Sequence, residues 1–420
     1  MPALIETLSS YVPALIVRRL ATDLSPISEP IAEHFPAAVL FTDITGFTAL
    51  TERLAQRGPV GAEELSRVLN AYFGQLIDLV VAHGGDIVKF AGDALMTLWP
   101  ATDTDLATVT RWATQCGFAV QQALHNYDAM EGVQLALRVG VAAGEILAMH
   151  IGGVFGRWEY VVAGAPLIDV AMAEHHAEPG QVIVSPGAWQ LVQDHCVGRA
   201  LPTGDVQLEA IHTPSPPRPL EKSLLSDNAE TQLRAYIPGA IRARVAAGQT
   251  GWLAELRRIT VLFINLPDLN YDTPLDHAQT VMRSLQESLY RYEGSINKLS
   301  VDDKGITLVA ALGLPPLAHE DDASRGVQAA MAMQAKLGEL GLHSATGIVS
   351  GQAFCGAIGS ELRREYTMMG DVVNLSARLM QAAPNDILCD TTTYQAAQSD
   401  LMFDMLPPIT VKGKAEPITI

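Results

Sequence analysis

His83-Gly-Gly-Asp-Ile-Val-Lys89 and Tyr292-Glu-Gly-Ser-Ile-Asn-Lys298 are versions of one phrase, the second standing 209 positions after the first. Working outward, Leu137-Arg-Val-Gly-Val-Ala-Ala-Gly144 is matched by Ser344-Ala-Thr-Gly-Ile-Val-Ser-Gly351 at an offset of 207, and Arg157-Trp-Glu-Tyr160 by Arg363-Arg-Glu-Tyr366 at 206. Ala38-Val-Leu-Phe41 corresponds to Thr260-Val-Leu-Phe263 at 222. Offsets that drift so little over most of their length mark a duplicated domain. The Pro-rich stretch His212-Thr-Pro-Ser-Pro-Pro-Arg-Pro219 lies between the copies and reads as a linker.

Each copy alternates strand and helix. Ala37 to Asp43 is a short apolar and β-branched run, predicting a buried strand. Ala62 to Ala82 places Leu65, Val68, Leu69, Tyr72, Phe73, Leu76 and Val80 on one helical face. Ile87 to Phe90, a tight Ala91-Gly92-Asp93 turn and Ala94 to Trp99 predict a β-hairpin. A helix is expected over about 107–127 and a strand over 135–142. The pattern predicts an α+β fold, a ferredoxin-like split βαβ sheet with helices on one face, present twice and closing into an intramolecular pseudo-dimer. Its ligand sites are expected in the cleft between copies. The expected divisions are an N-terminal helical segment over 1–34, a first domain over 35–200, a linker over 201–254 and a second domain over 255–420.

Composition narrows the function. The 420 residues are 48% apolar, enough for more than one core, and carry a formal charge of −18. Such a surface repels polyanions, so no nucleic-acid partner is expected, and an anionic ligand needs a local basic cluster. The 4 cysteines (Cys116, Cys196, Cys355, Cys389) have no short spacing, which gives no zinc or redox motif and fits a reducing, cytoplasmic setting. No apolar run approaches the ~18 residues of a membrane span. The apolar segment Glu416-Pro-Ile-Thr-Ile420 is strand-like, and a chain stopping there is expected to be part of something longer, with further domains C-terminal to it.

The chemistry gathers on carboxylates. Asp43 closes a strand and Asp93 occupies a hairpin turn, so neighbouring strands would project both from one edge. Two such carboxylates can hold a hard divalent cation together with substrate phosphates. Gly46 permits close backbone approach where Ile44-Thr-Gly-Phe-Thr48 turns into a helix, whose free N–H groups can cradle phosphate. Either aspartate alone reads as an ordinary cap or turn residue; it is their combination with the glycine-bearing helix start that points to a site.

Phe41-Thr-Asp-Ile-Thr-Gly-Phe47 with Lys89-Phe-Ala-Gly-Asp93 resembles the first catalytic domain of the class III nucleotidyl cyclases. Glu365-Tyr-Thr-Met-Met-Gly-Asp-Val-Val-Asn-Leu-Ser-Ala-Arg378 resembles the second. The tandem order is most similar to the bicarbonate-responsive soluble adenylyl cyclases. The resemblance implies that ATP binds between the copies and that its 3′-hydroxyl attacks its own α-phosphate, giving cyclic AMP and pyrophosphate. It implies two Mg²⁺ or Mn²⁺ ions on Asp43, Asp93 and the backbone carbonyl of Ile44, with Ca²⁺ an alternative in the second position. The phosphates would lie along Thr45, Gly46 and Phe47, and Lys412 would contact the terminal ones. Lys298 would donate to adenine N1 and Thr367 would help read the exocyclic amine. A lysine donor suits adenine, whose N1 is unprotonated, over guanine. Asn374 would position the ribose, and Arg378, four residues on along the same predicted helix, would stabilise phosphoryl charge in the transition state.

Duplication also predicts a mirror cleft. There Asn265 stands in place of Asp43, Ile168 in place of Asn374 and Met172 in place of Arg378, so that cleft should be catalytically dead. Lys89, the counterpart of Lys298, is the candidate regulatory residue. In the family such a cleft takes bicarbonate through this lysine and a nearby arginine, but Asp169-Val-Ala-Met-Ala173 offers no basic residue. A lone lysine forfeits a charge-assisted bond of ~1.5–3 kcal/mol, so bicarbonate stimulation is expected to be weak or absent, although Thr367 marks the responsive subgroup. The competing function is a catalytically silent nucleotide-binding regulatory pair. Such a pair should lack a metal aspartate or the transition-state arginine, and this chain has both.

Overall fold

A computed structural model describes residues 4–55, 57–130, 132–216, 218–246, 255–302, 305–411 and 416–420. Two helices come first, α1 (Leu4–Ser9) and α2 (Ala14–Thr22). The first half then runs β1 (Ile31–Thr45), α3 (Phe47–Ala55), α4 (Gly58–Ala82), β2 (Asp86–Ala91), β3 (Ala94–Pro100) and α5 (Leu106–Leu124). It continues with β4 (Tyr127–Met130), β5 (Val133–Val154), β6 (Arg157–Ala163), α6 (Ala165–His175), β7 (Val182–Val184), α7 (Pro186–Val192), β8 (Cys196–Ala200) and β9 (Val206–Ile211). After the short α8 (Glu230–Arg234) and α9 (Gly239–Ala246), the second half comprises β10 (Glu255–Leu266), α10 (Leu275–Tyr290), β11 (Ser295–Asp302), β12 (Gly305–Leu312) and α11 (Asp322–Glu339). It ends with β13 (Ala345–Gly359), β14 (Arg364–Met369), α12 (Asp371–Gln381), β15 (Ile387–Cys389) and α13 (Thr391–Ala397).

The first sheet has the order β2-β3-β1-β5-β7-β9-β8, the second β11-β12-β10-β13-β14, with β15 parallel on β13 as β7 is on β5. β1 shows why both faces are covered. Ala38 and Leu40 pack into the core with α4 and α5, whereas Ala37 and Val39 pack with Leu167 and Val170 of α6 on the other face. The helices therefore do not lie on one face, as the sequence pattern suggested. Gly140 is the reason: a Cβ there would stand 2.3 Å from the Val170 carbonyl oxygen, so its bare backbone lets α6 lie against β5. Among the described residues no helix is long and apolar enough to cross a membrane, and none of the four cysteines is in a disulfide.

The chain between the halves is more than a linker. β9, inside the stretch 201–254, pairs with β7 and β8, so the first sheet continues to Ile211. β1 begins at Ile31, inside the stretch 1–34. Leu233, Ile237 and Ile241 of the connection share a core with Ile5, Leu8, Ile16 and Leu20 of α1 and α2. The C-terminal segment 416–420 is no strand; its ladder is reduced to a single bridge between Ile409 and Ile418.

Reciprocal crossings join the halves. Asn70 of α4 accepts a hydrogen bond from Gly359 N at 3.0 Å, where β13 ends. On the other side Gln279 exchanges two bonds with Gly152, at 2.7 and 2.9 Å. Gln286, fully buried, accepts from Val154 N and donates to the Arg157 carbonyl, both at 3.1 Å. Truncating it strands a buried N–H and a half-buried carbonyl. Gln286→Ala should therefore lower the free energy of urea unfolding by about 2–3 kcal/mol; an unchanged unfolding midpoint would show that these bonds do not hold the halves together.

Candidate active site between the halves

The corner where β1 ends is built by one glycine. Gly46 has φ +90°, and a Cβ on it would lie 2.6 Å from the Gln134 carbonyl oxygen, so the turn from β1 into α3 admits no side chain. Thr45 Oγ1 donates to the Ala136 carbonyl at 3.0 Å, and Phe47 is buried, so this turn offers a ligand its backbone. Asp43 lies opposite Ala94 of β3 on one side and Arg138 of β5 on the other. Asp93 directly precedes Ala94, and its carbonyl accepts from Ile44 N at 3.3 Å, closing the corner. Asp43, Ile44 and Asp93 are thus brought together at one sheet edge.

This corner holds an excess of negative charge. Burial, and then the neighbouring Asp43 carboxylate, push the Asp93 carboxyl up to about 6, against the pull of Lys298 and Arg138. Arg138 pairs with Asp43, and its Nη2 lies 2.9 Å from Glu174 Oε1. Burial and Asp43 likewise push the Glu174 carboxyl up to about 7. Two crowded carboxylates with one backbone carbonyl fit a hard divalent cation, which would relieve their repulsion. Among the described residues no group of three His, Cys, Asp or Glu side chains forms a complete metal cage, so an ion here would share its remaining positions with substrate oxygens or water.

The second half contributes a buried cation. Lys298 of β11 donates to Thr367 Oγ1 of β14 at 3.1 Å. Burial pulls its ammonium down from the ordinary lysine range, while Glu365 and then Asp93 favour its charge. The aspartate of one half and the lysine of the other are therefore electrostatic neighbours. Asn374 and Arg378 sit one turn apart on α12, the first exposed and the second half-buried. Their side chains make no hydrogen bond or ion pair among the described residues, and none joins them to the aspartates. Lys412 lies outside the described residues. Arg138 and Glu174 were missed by the sequence reading, although a charged residue inside the apolar run Leu137-Arg-Val-Gly140 was a signal.

In the second half Asn265 lies opposite Thr307 and Ala345, the register that Asp43 has with Ala94 and Arg138. A cavity of about 270 Å³ between the halves is lined by both repeat lysines, Lys89 and Lys298, together with Arg157, Glu159, Arg363 and Glu365. Its cations are occupied. Lys89 donates to the Leu299 carbonyl and to Ser300 Oγ; Arg157 is bound to Glu159, and Arg363 donates to the Ile87 carbonyl at 2.9 Å. Both arginines line the same cavity, so Lys89 is not alone.

The model of the adenylate and guanylate cyclase catalytic domain family matches residues 30–214 and 254–420. The chain belongs to this family. It is 30% identical to adenylate cyclase type 10 of Oryctolagus cuniculus over 97% of this chain and 27% of that protein. The human protein of that name is 28% identical over 98% of this chain and 28% of its own length. The chain thus spans little more than a quarter of these curated relatives. A class III adenylyl cyclase-like ATP-binding protein from Pseudomonas aeruginosa shares the fold, with a TM-score of 0.59 over 91% of this chain and 92% of that one at 13% identity. The α+β architecture with two cyclase catalytic domains is the family's own.

The crowded corner has a stability signature. Because the Asp93 carboxyl titrates near 6 when folded and near 3.8 when unfolded, the folded chain binds more protons between those values, and stability falls as pH rises through that window. In metal-free buffer at pH 7.5, Asp93→Asn should unfold at higher urea than the parent, by about 1–2 kcal/mol. The gain should vanish below pH 4. A destabilised variant at pH 7.5 would mean that the corner carries no unrelieved charge.

Proposed function

We propose that the chain is an adenylyl cyclase, converting ATP to 3′,5′-cyclic AMP and pyrophosphate at a single site between its halves. The observation that carries this reading is the corner where Asp43 and Asp93 crowd at one sheet edge, with Lys298 of the other half close enough for the opposite charges to favour each other. Asp43, Asp93 and the Ile44 carbonyl would hold two Mg²⁺ or Mn²⁺ ions, with Ca²⁺ an alternative in the second position. Bound there, such ions acidify an attacking hydroxyl and neutralise a triphosphate. The Thr45-Gly46-Phe47 backbone, at the start of α3, offers N–H groups to phosphate oxygens, and Arg138 supplies a cation at the same corner.

Lys298 would donate to adenine N1, and Thr367, already its hydrogen-bond partner, would share in reading the exocyclic amine. GTP presents a protonated N1 to the same ammonium and is rejected. Asn374 would orient the ribose and Arg378 would stabilise charge on the phosphoryl group. Both side chains are unengaged in the protein among the described residues, which leaves their donors for a ligand. Lys412 would contact the terminal phosphates.

The mirror cleft lacks the aspartate, the asparagine and the arginine, and we assign it no turnover. Its lysine and arginines are satisfied within the protein, so bicarbonate stimulation should be weak or absent. Cysteines outside any disulfide suit a cytoplasmic setting.

Incubation with ATP and Mg²⁺ or Mn²⁺ should yield cyclic AMP, and GTP should yield little product. Asp43→Ala should abolish turnover, and Arg378→Ala should cost roughly 10²–10³ in kcat. Near-normal rates in either variant refute the residue assignment, while nucleotide binding with no cyclic product supports the silent regulatory pair. Bicarbonate titrated at fixed pH should leave the rate close to a chloride control; saturable activation of several-fold would overturn that expectation.

A further inference from the structure

The halves share a scaffold but differ at one position behind the carboxylate corner. In β5, Gly140 lets α6 approach until a Cβ would lie 2.8 Å from the Glu174 backbone nitrogen; in β13, Gly347 does the same against the Met380 nitrogen, at 2.4 Å. Glu174 and Met380 are therefore structural equivalents, as are Arg138 and Ala345, which lie opposite Asp43 and Asn265 in the same register. The half with the metal-suited carboxylates carries an arginine–glutamate pair, and the half without them carries alanine and methionine. In the second half this place is an opening lined by Asn265, Thr307, Ala345 and Met380. Glu174 is a mostly buried carboxylate that a core of this shape does not need.

We propose that Glu174 is a positioning residue for the reaction, acting through Arg138. The guanidinium lies between two carboxylates, Asp43 at the corner and Glu174 behind it. With Asp43 alone, Arg138 would be a dedicated ion-pair partner and would compete directly with any cation for that carboxylate. Glu174 provides a second anchor, so the half-buried guanidinium keeps a charged partner when Asp43 is engaged elsewhere. Held from behind, Arg138 stays at the corner with donors available for an oxyanion, and less side-chain freedom is lost when phosphate binds. This inference rests on the proposed site, since it assigns Asp43 to a metal and Arg138 to the triphosphate.

Glu174→Gln in the full chain tests it, read by calorimetric binding of 3′-deoxy-ATP with Mg²⁺, an analogue lacking the attacking hydroxyl. The expected result is a Kd raised about tenfold and a half-saturating Mg²⁺ concentration raised several-fold, with kcat at saturating Mg²⁺ within about threefold of the parent. Glu174→Asp should recover most of the lost affinity, whereas Glu174→Met, which copies the second half and so suits the packing, should behave like Gln. Combined with Arg138→Ala, Glu174→Gln should add no further loss. Unchanged Kd and Mg²⁺ dependence, a fall in kcat alone, or losses that add fully in the double variant would each overturn the assignment. Failure of the parent to make cyclic AMP while it binds the analogue would instead overturn the proposed reaction, and the binding comparison would still decide the role of Glu174.

Discussion

Two contacts that exclude a side chain set the geometry of this protein. At Gly140 and Gly347 a Cβ would lie 2.3 and 2.0 Å from helix carbonyl oxygens, far inside van der Waals contact. Bare backbone at these points allows α6 and α12 to lie directly on the sheets that α4, α5, α10 and α11 cover from the other side. The helix-borne part of the candidate site depends on that approach. α6 delivers Glu174 to Arg138, and α12 carries Asn374 and Arg378 along the opposite half. An alanine at either glycine would push its helix outward and misplace functional groups without touching them.

The duplication then separates scaffold from chemistry. Both halves repeat the strand order, the glycine contact and a lysine on the second strand, yet only the first concentrates carboxylates. Asp43, Asp93 and Glu174 crowd around a single guanidinium, and the acid–base balance of Asp93 and Glu174 is driven upward by burial and mutual repulsion. A core selected for stability alone would look like the second half, where Asn265, Ala345 and Met380 fill the equivalent places. Strain of this kind persists where a ligand relieves it.

Much of this was legible in the chain. The offsets between paired phrases revealed the duplication, the apolar and β-branched run along 37–43 gave β1, and the Ala91-Gly92-Asp93 turn gave the β2–β3 hairpin. Gly46 stood out because its neighbours turn from strand to helix. The second helical face stayed hidden because a glycine inside an apolar strand does not announce which helix it will meet. β9 was hidden because it falls in the stretch read as a linker, although Val206-Gln-Leu-Glu209 alternates and Val206 and Leu208 are buried. Arg138 was in view, quoted within a repeated phrase, but its meaning lies in register: it becomes informative only once β5 sets it opposite Asp43. Glu174 lies well over a hundred residues from Asp43 in the chain and meets it through a helix packed on bare backbone.

Lys298 shows how the halves are chemically as well as physically joined. A buried ammonium needs compensation, and it finds a hydroxyl and a carboxylate in its own half, Thr367 and Glu365, and a further carboxylate, Asp93, in the other. On the mirror side Lys89 instead donates directly across the interface to Leu299 and Ser300. Val161, with no hydroxyl, stands where the second half has Thr367. The two equivalent lysines thus fasten the pseudo-dimer differently. One is tied by short-range hydrogen bonds, which require contact; the other is linked to the opposite half through charge, which acts across a gap. A cleft bridged by charge can admit a ligand between its walls without first breaking hydrogen bonds, and the side where this holds is the side that carries the carboxylates.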